Sequence, residues 1–163
     1  MLEILHRAAS PRAEAPYGRL RLAFEFRQKS RLRTALESGE EVALSLARGE
    51  VLRGGDLVVA RSGEVIEVVA APESVLHVTC ASAEALARVA YHLGNRHVPV
   101  QVGDGWLRCG ADAVLETMVR GLGATVAAIE VPFEPESGAY TPRHRHDGES
   151  GHGGLIHEFP SRA

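Results

Sequence analysis

Residues 82–94 read Ser-Ala-Glu-Ala-Leu-Ala-Arg-Val-Ala-Tyr-His-Leu-Gly, and this stretch decides the fold. Ser82 is a good acceptor for the free amides of a helix start, and Leu86, Val89, Ala90 and Leu93 recur at i, i+3, i+4 and i+7. Gly94 supplies a natural C-terminal stop. Working outward, residues 74–80 read as a strand on one side. On the other side residues 98–102 and 106–109 read as a hairpin about Gly103-Asp104-Gly105. Asp112 then caps a second helix with Val114, Leu115, Met118, Val119 and Leu122 on one face, closed by Gly121 and Gly123. Residues 124–133 return as a strand. The order β-α-β-β-α-β is the split βαβ, or ferredoxin-like, arrangement.

Upstream the period changes. Residues 19–27, Arg-Leu-Arg-Leu-Ala-Phe-Glu-Phe-Arg, alternate: Leu20, Leu22, Phe24 and Phe26 on one side, Arg19, Arg21, Glu25 and Arg27 on the other. That predicts a half-buried strand. Residues 42–46, 57–60 and 65–70 predict further short strands, separated by the turn signals Ser38-Gly39-Glu40, Arg53-Gly54-Gly55-Asp56 and Arg61-Ser62-Gly63. Short strands at close spacing predict a small β-sandwich or barrel, and Pro72 marks its boundary. From Glu134 onward Pro, Gly, Ser, Glu and His dominate, with too few apolar side chains to order the segment alone. The expected fold class is therefore α+β: a β domain over 1–71, a ferredoxin-like domain over 72–133 and a flexible, histidine-containing tail over 134–163.

Bulk properties narrow the function. In 163 residues, 45% hydrophobic content suffices for a core, and a net charge of −3 argues against nucleic-acid binding by bulk electrostatics. The basic run Arg27, Lys29, Arg31, Arg33 has no matching set of stacking aromatics, since the second domain's strands offer only Trp106 and Phe133. It reads as a solvated strand face or a protein-docking surface. No apolar run approaches the roughly 18–20 residues that span a membrane, and the N-terminus lacks a signal-peptide pattern, so a cytoplasmic protein is expected. Cys80 and Cys109 form no Cys-x-x-Cys pair and read as small core hydrophobes. No Gly-x-Ser-x-Gly, phosphate loop or His-Glu-x-x-His is present, so no enzyme is expected.

The histidines carry the chemistry. His97 stands at the junction between the first helix and the following strand, and His144, His146, His152 and His157 lie in the tail. Neutral imidazole is the commonest protein ligand for late transition metals. One imidazole on a rigid junction and several on a tether suit a protein that takes up a metal, holds it loosely and gives it away. Asp147 and Glu149 could add oxygen ligands, whereas His6, His77 and His92 read as structural or surface residues.

The stretch Tyr91-His92-Leu93-Gly94-Asn95-Arg96-His97-Val98-Pro99-Val100-Gln101 closely resembles the signature of the UreE urease accessory proteins. Residues 27–31 and 48–56 look like the family's N-terminal domain, and residues 114–123 like the second helix of its C-terminal domain. The resemblance implies a peptide-binding-like β domain followed by a ferredoxin-like metal-binding domain. It implies a homodimeric nickel chaperone that acts on apo-urease with other accessory proteins, including the urease accessory GTPase. On that reading Ni(II) is carried, not used, by His97 from both chains with the tail histidines, and Zn(II) or Cu(II) could bind in its place. Many relatives carry a histidine where this chain has Ala113, which puts an accessory site there in doubt. Two other readings remain open on the residues alone: a peptide- or protein-binding adaptor with incidental metal storage, and a zinc or copper handler.

Overall fold

A computed structural model describes residues 1–8 and 15–137. The elements are β1 (Leu2–Arg7), β2 (Gly18–Leu22), α1 (Phe24–Arg27), β3 (Arg31–Ala35), β4 (Glu41–Ser45), β5 (Leu57–Ala60) and β6 (Val65–Ala70). Then follow β7 (Pro72–Thr79), α2 (Ala83–Gly94), β8 (Gln101–Gly103), β9 (Trp106–Gly110), α3 (Ala113–Gly121) and β10 (Thr125–Pro132).

The first six strands form one sheet in the order β2-β6-β5-β1-β4-β3. Alternate residues point inward, so Ile4, Leu20, Val42, Val58, Ile66 and Val68 are fully buried in a shared core. Each such side chain contributes roughly 1.5–3 kcal/mol on leaving water. Just past β3, the Glu37 amide donates to the Arg19 carbonyl at 2.9 Å and draws the two edge strands together. The sheet is thereby almost closed into a barrel.

The second sheet is antiparallel in the order β10-β7-β9-β8, the ferredoxin-like arrangement expected from the helix and strand order. One face, through Leu76, Val78, Leu107 and Cys109, packs on Val89 and Leu93 of α2 and Val119 of α3. Both helices start as their sequences dictate: the Ser82 hydroxyl accepts from the Ala85 amide at 3.2 Å, and the Asp112 carboxylate from the Leu115 amide at 2.8 Å.

The structure departs from expectation at residues 23–27. The alternating strand stops at Leu22, and the next residues turn into α1. The alternation implied that Arg27 faces solvent with Arg19 and Arg21; instead it is fully buried. Its Nε donates to the Leu22 carbonyl at 3.2 Å and its Nη1 to the Leu52 carbonyl at 3.1 Å and to Glu134 Oε1 at 2.9 Å. Its Nη2 donates to the Phe133 carbonyl. A buried guanidinium is tolerable only when its donors are met in this way, and four of its five are. Phe24, carried inward by the same turn, meets Phe133 edge to face at 5.5 Å, in a small cluster with Val75. The Phe24 amide donates to Glu73 at 2.7 Å. The joint between barrel and ferredoxin-like domain is thus built from α1, the 52–54 turn and the residues after β10.

Glu134 therefore belongs to this joint, although its composition placed it in the tail. Glu134→Ala strips the carboxylate from Arg27 without placing a new chain terminus beside it. The variant should be less stable than the native chain by about 2–3 kcal/mol, the scale of a lost charged hydrogen-bond partner at a buried group. Urea unfolding of the two forms measures the difference, and equal midpoints would contradict this account of the joint.

Candidate metal centre

The last turn of α2 does not end on a glycine in the left-handed region. Gly94 is still helical, and the chain runs through Asn95 and Arg96 to His97, whose φ is +54°. The His97 amide donates to the Gly94 carbonyl at 2.9 Å and the Val98 amide to the Leu93 carbonyl at 3.2 Å. This pair of bonds is the Schellman closure, in which the left-handed position is usually glycine. An imidazole there costs about 1–2 kcal/mol relative to ordinary backbone geometry. Arg96 adds a further cap, its Nη1 donating to the His92 carbonyl at 3.2 Å. Pro99 keeps Val98 out of helical geometry and turns the chain toward β8. The strained turn holds the His97 ring exposed at the tip of the domain.

Among the described residues no three His, Cys, Asp or Glu side chains gather in ligating geometry. His77 lies on the other face of the sheet, where its Nδ1 accepts from Arg108 Nε at 3.3 Å beside Trp106. His92 is half-buried against Tyr91, and His6 is exposed on β1. Cys109 sits in the second core, where burial, and secondarily Asp112, push its thiol up to about 11. Such a thiol stays protonated and makes a poor metal ligand. Cys80 packs at the margin of the same core. Ala113 opens α3 and offers no donor. The tail candidates His144, His146, His152 and His157, with Asp147 and Glu149, lie outside the described residues.

What the structure does show is where the tail begins. After β10 the chain crosses from one edge of the sheet to the other. The Glu134 amide donates to the Gln101 side chain at 3.1 Å and the Glu136 amide to the Val100 carbonyl at 2.8 Å. Val100 is three residues from His97, so that root lies within about 11 Å of the turn along the chain. No single-residue signal in the sequence announces this crossing, because it depends on main-chain bonds and on Arg53 and Arg27 reaching from the other domain.

A barrel-like β domain clamped to a ferredoxin-like domain with a histidine-tipped turn defines a specific two-domain class. The N-terminal domain profile of the UreE urease accessory proteins matches residues 1–71, and their C-terminal domain profile matches residues 73–159. The chain is 48% identical over 164 residues to urease accessory protein UreE of Ectopseudomonas mendocina (strain ymp), covering 98% of each chain. It is 48% identical over 160 residues to that of Pseudomonas fluorescens, covering 98% of this chain and 94% of the relative. It is 51% identical over 142 residues to that of Nitrosospira multiformis, covering 86% and 81%. The chain belongs to the UreE urease accessory protein family. It is an accessory factor and not an enzyme, and its family implies a nickel-handling role in urease maturation.

The backbone at position 97 yields a separable test. His97→Gly and His97→Ala remove the same imidazole, but glycine relieves the left-handed strain and alanine does not. The glycine variant should be the more stable of the two by about 1 kcal/mol. Thermal unfolding that ranks alanine above glycine would show that the turn is not held as described.

Proposed function

We propose that this chain is a cytoplasmic, homodimeric nickel chaperone that captures Ni(II) between the His97 residues of two copies and surrenders it to apo-urease through the other maturation proteins, the urease accessory GTPase among them. The observation that carries the reading is an exposed imidazole fixed on a strained, well-bonded turn, with no trio of ligating side chains among the described residues of its own chain. One imidazole holds a divalent ion poorly, and an isologous two-fold contact sets each residue beside its own copy. Large apolar side chains flank the turn in the sequence: Tyr91 is 65% exposed and Val102 55% exposed, as suits a surface that meets a second copy.

In this reading residues 1–71 and 72–133 form the body and the segment past the joint works as a tether. From Ser137, His144 is seven residues on and His146 nine. Chain reach alone lets them span at most about 25 Å and 32 Å, more than the distance from the tail root to His97. His144 and His146, with His152 and His157 further out, then complete the coordination that two His97 rings begin. Few ligands in a rigid frame, with the rest on a tether, favour exchange to an acceptor over permanent retention. Nitrogen ligands also accept Zn(II) and Cu(II), and copper binds such sites more tightly than nickel, so delivery to the right acceptor supplies the selectivity. No helix among the described residues is long and apolar enough to cross a membrane.

Nickel calorimetry on the full chain should give a central site of one ion per dimer. That site should vanish in His97→Ala and persist in the form ending at Ser137, with fewer ions bound in total. A Ser137 form that binds no nickel would move the primary site into the tail, and an adaptor with incidental metal storage would then be the better reading.

The same site should be acid-sensitive. A ligating imidazole must be neutral, and an ordinary histidine titrates near pH 6.5, so below about pH 6 each bound ring costs about tenfold in affinity per pH unit. A slope of log affinity against pH near two indicates the His97 pair alone, and three or four includes tail histidines. A flat profile between pH 7.5 and 5.5 would assign the metal to carboxylates, which are already ionised across that range.

A further inference from the structure

The fold divides the basic run Arg27, Lys29, Arg31, Arg33. Arg27 is buried in the joint, and Lys29 pairs with Glu25 at 3.1 Å and lies over the Phe26 ring. Arg31 and Arg33 remain, both exposed on β3, and neither meets a carboxylate among the described residues. β3 is an outer strand of the first sheet. The other outer strand, β2, spends its arginines internally, Arg19 on Glu67 at 3.1 Å and Arg21 on Glu37 at 2.5 Å. β3 also has main-chain groups to offer. The Leu46 amide donates to the Ser30 carbonyl at 2.8 Å and the Leu36 amide to the Glu40 carbonyl at 2.9 Å. With Leu32 opposite Leu44 and Thr34 opposite Val42, these bonds commit the even-numbered residues to β4. The amides and carbonyls of Arg31, Arg33 and Ala35 therefore point away from the sheet, and none has a main-chain partner among the described residues. On the outer face Arg31 stands opposite Ser45 and Arg33 opposite Ala43. These small neighbours leave a shallow depression of about 320 Å³ beside the two guanidinium groups, with Leu32 and Leu44 at its floor.

We propose that β3 is a docking edge for an extended acidic segment of a partner protein. The segment pairs its main chain with Arg31, Arg33 and Ala35 and lays its carboxylates on the two guanidinium groups. Main-chain bonds supply affinity in such strand addition, and alternate side chains supply specificity. Charge selects the occupant. A second copy of this chain would set four arginines against one another along the shared edge, the repulsion that keeps charged edges from pairing with themselves. Carboxylates two residues apart match instead, because side chains on one face of a strand recur about every 7 Å. Each guanidinium fork can hold a carboxylate by two parallel hydrogen bonds. The residue between the two acids turns to the opposite face, beside Leu32, which is partly open while packed on the barrel core. An apolar side chain suits that place. All these groups belong to the first domain, so the proposal stands independently of the metal centre.

The test titrates the full chain with a blocked peptide in which glutamate alternates with valine, and follows the amide resonances of β3 by NMR. The expected result is saturable shifts and slowed amide exchange at Arg31, Arg33 and Ala35, with binding that weakens as salt rises. Two variants separate the contributions. Arg31→Gln with Arg33→Gln removes the charges and leaves the edge. Ala35→Pro removes an outward amide and leaves both the charges and the bonds to β4. Each should weaken binding at least about fivefold, with thermal unfolding confirming that the variant is folded. Should one variant fail to fold, the other decides. Binding that survives Ala35→Pro but not the loss of the arginines is charge attraction without strand pairing and overturns the proposal. Equal binding of a peptide with lysine in place of glutamate overturns it, as does the absence of saturable shifts on β3. Displacement of the peptide by an equal concentration of a DNA oligonucleotide marks a general anion site and overturns it too.

Discussion

The Arg27–Glu134 pair is the interaction on which the rest of this molecule depends. A guanidinium with no solvent exposure would be intolerable without acceptors, and the fold provides them from three places: the end of β2, the turn before Arg53, and the chain just past β10. Satisfying one residue therefore fixes three segments of two domains at once. Buried ion pairs are weak evidence for net stability but strong constraints on arrangement, because any other packing leaves a charge unmet. The edge-to-face contact of Phe24 with Phe133 closes the joint with apolar surface. The barrel and the ferredoxin-like domain are in this way held as one body.

A rigid body matters for a protein that carries a metal ion. The His97 ring is positioned by two main-chain hydrogen bonds and a left-handed backbone, not by packing around the side chain. Backbone strain at a non-glycine residue persists only where the surrounding structure over-determines it, here through α2 on one side and Pro99 on the other. The exposed ring is then free to meet a ligand while its root cannot move. The absence of a preorganised ligand cage among the described residues of one chain suits cargo handling, in which binding must be reversible.

The joint also gives the N-terminal domain a physical link to the β8 edge of the second sheet. The turn at residues 53–56 is held by Asp56 and by glycine at position 55, and it presents both a guanidinium and an amide to the departing chain. The same charged and main-chain groups that fasten the domains together set where the tail starts. Stability of the joint and the course of the chain past β10 are therefore coupled in one set of hydrogen bonds.

Much of this was written in local sequence. The period of residues 82–94, its serine cap, the hairpin glycines and the aspartate cap at 112 each act within a few residues, so the βαββαβ order and the α+β class follow from the chain alone. The Tyr91–Gln101 motif likewise marks His97 and the family. Tertiary structure alone decided the rest. Alternation over residues 19–27 is a local signal that could not reveal the break after Leu22, because Arg27 turns inward to meet acceptors more than one hundred residues away. β1 and β3 escaped the pattern for a related reason: their pairing with β4 and β5 is settled by neighbours distant in sequence. Glu134 looked like tail by composition, yet its carboxylate is claimed by two arginines of the other domain. Sequence fixes what neighbouring residues do to one another. Where a charge finds its partner across two domains, only the folded chain can say.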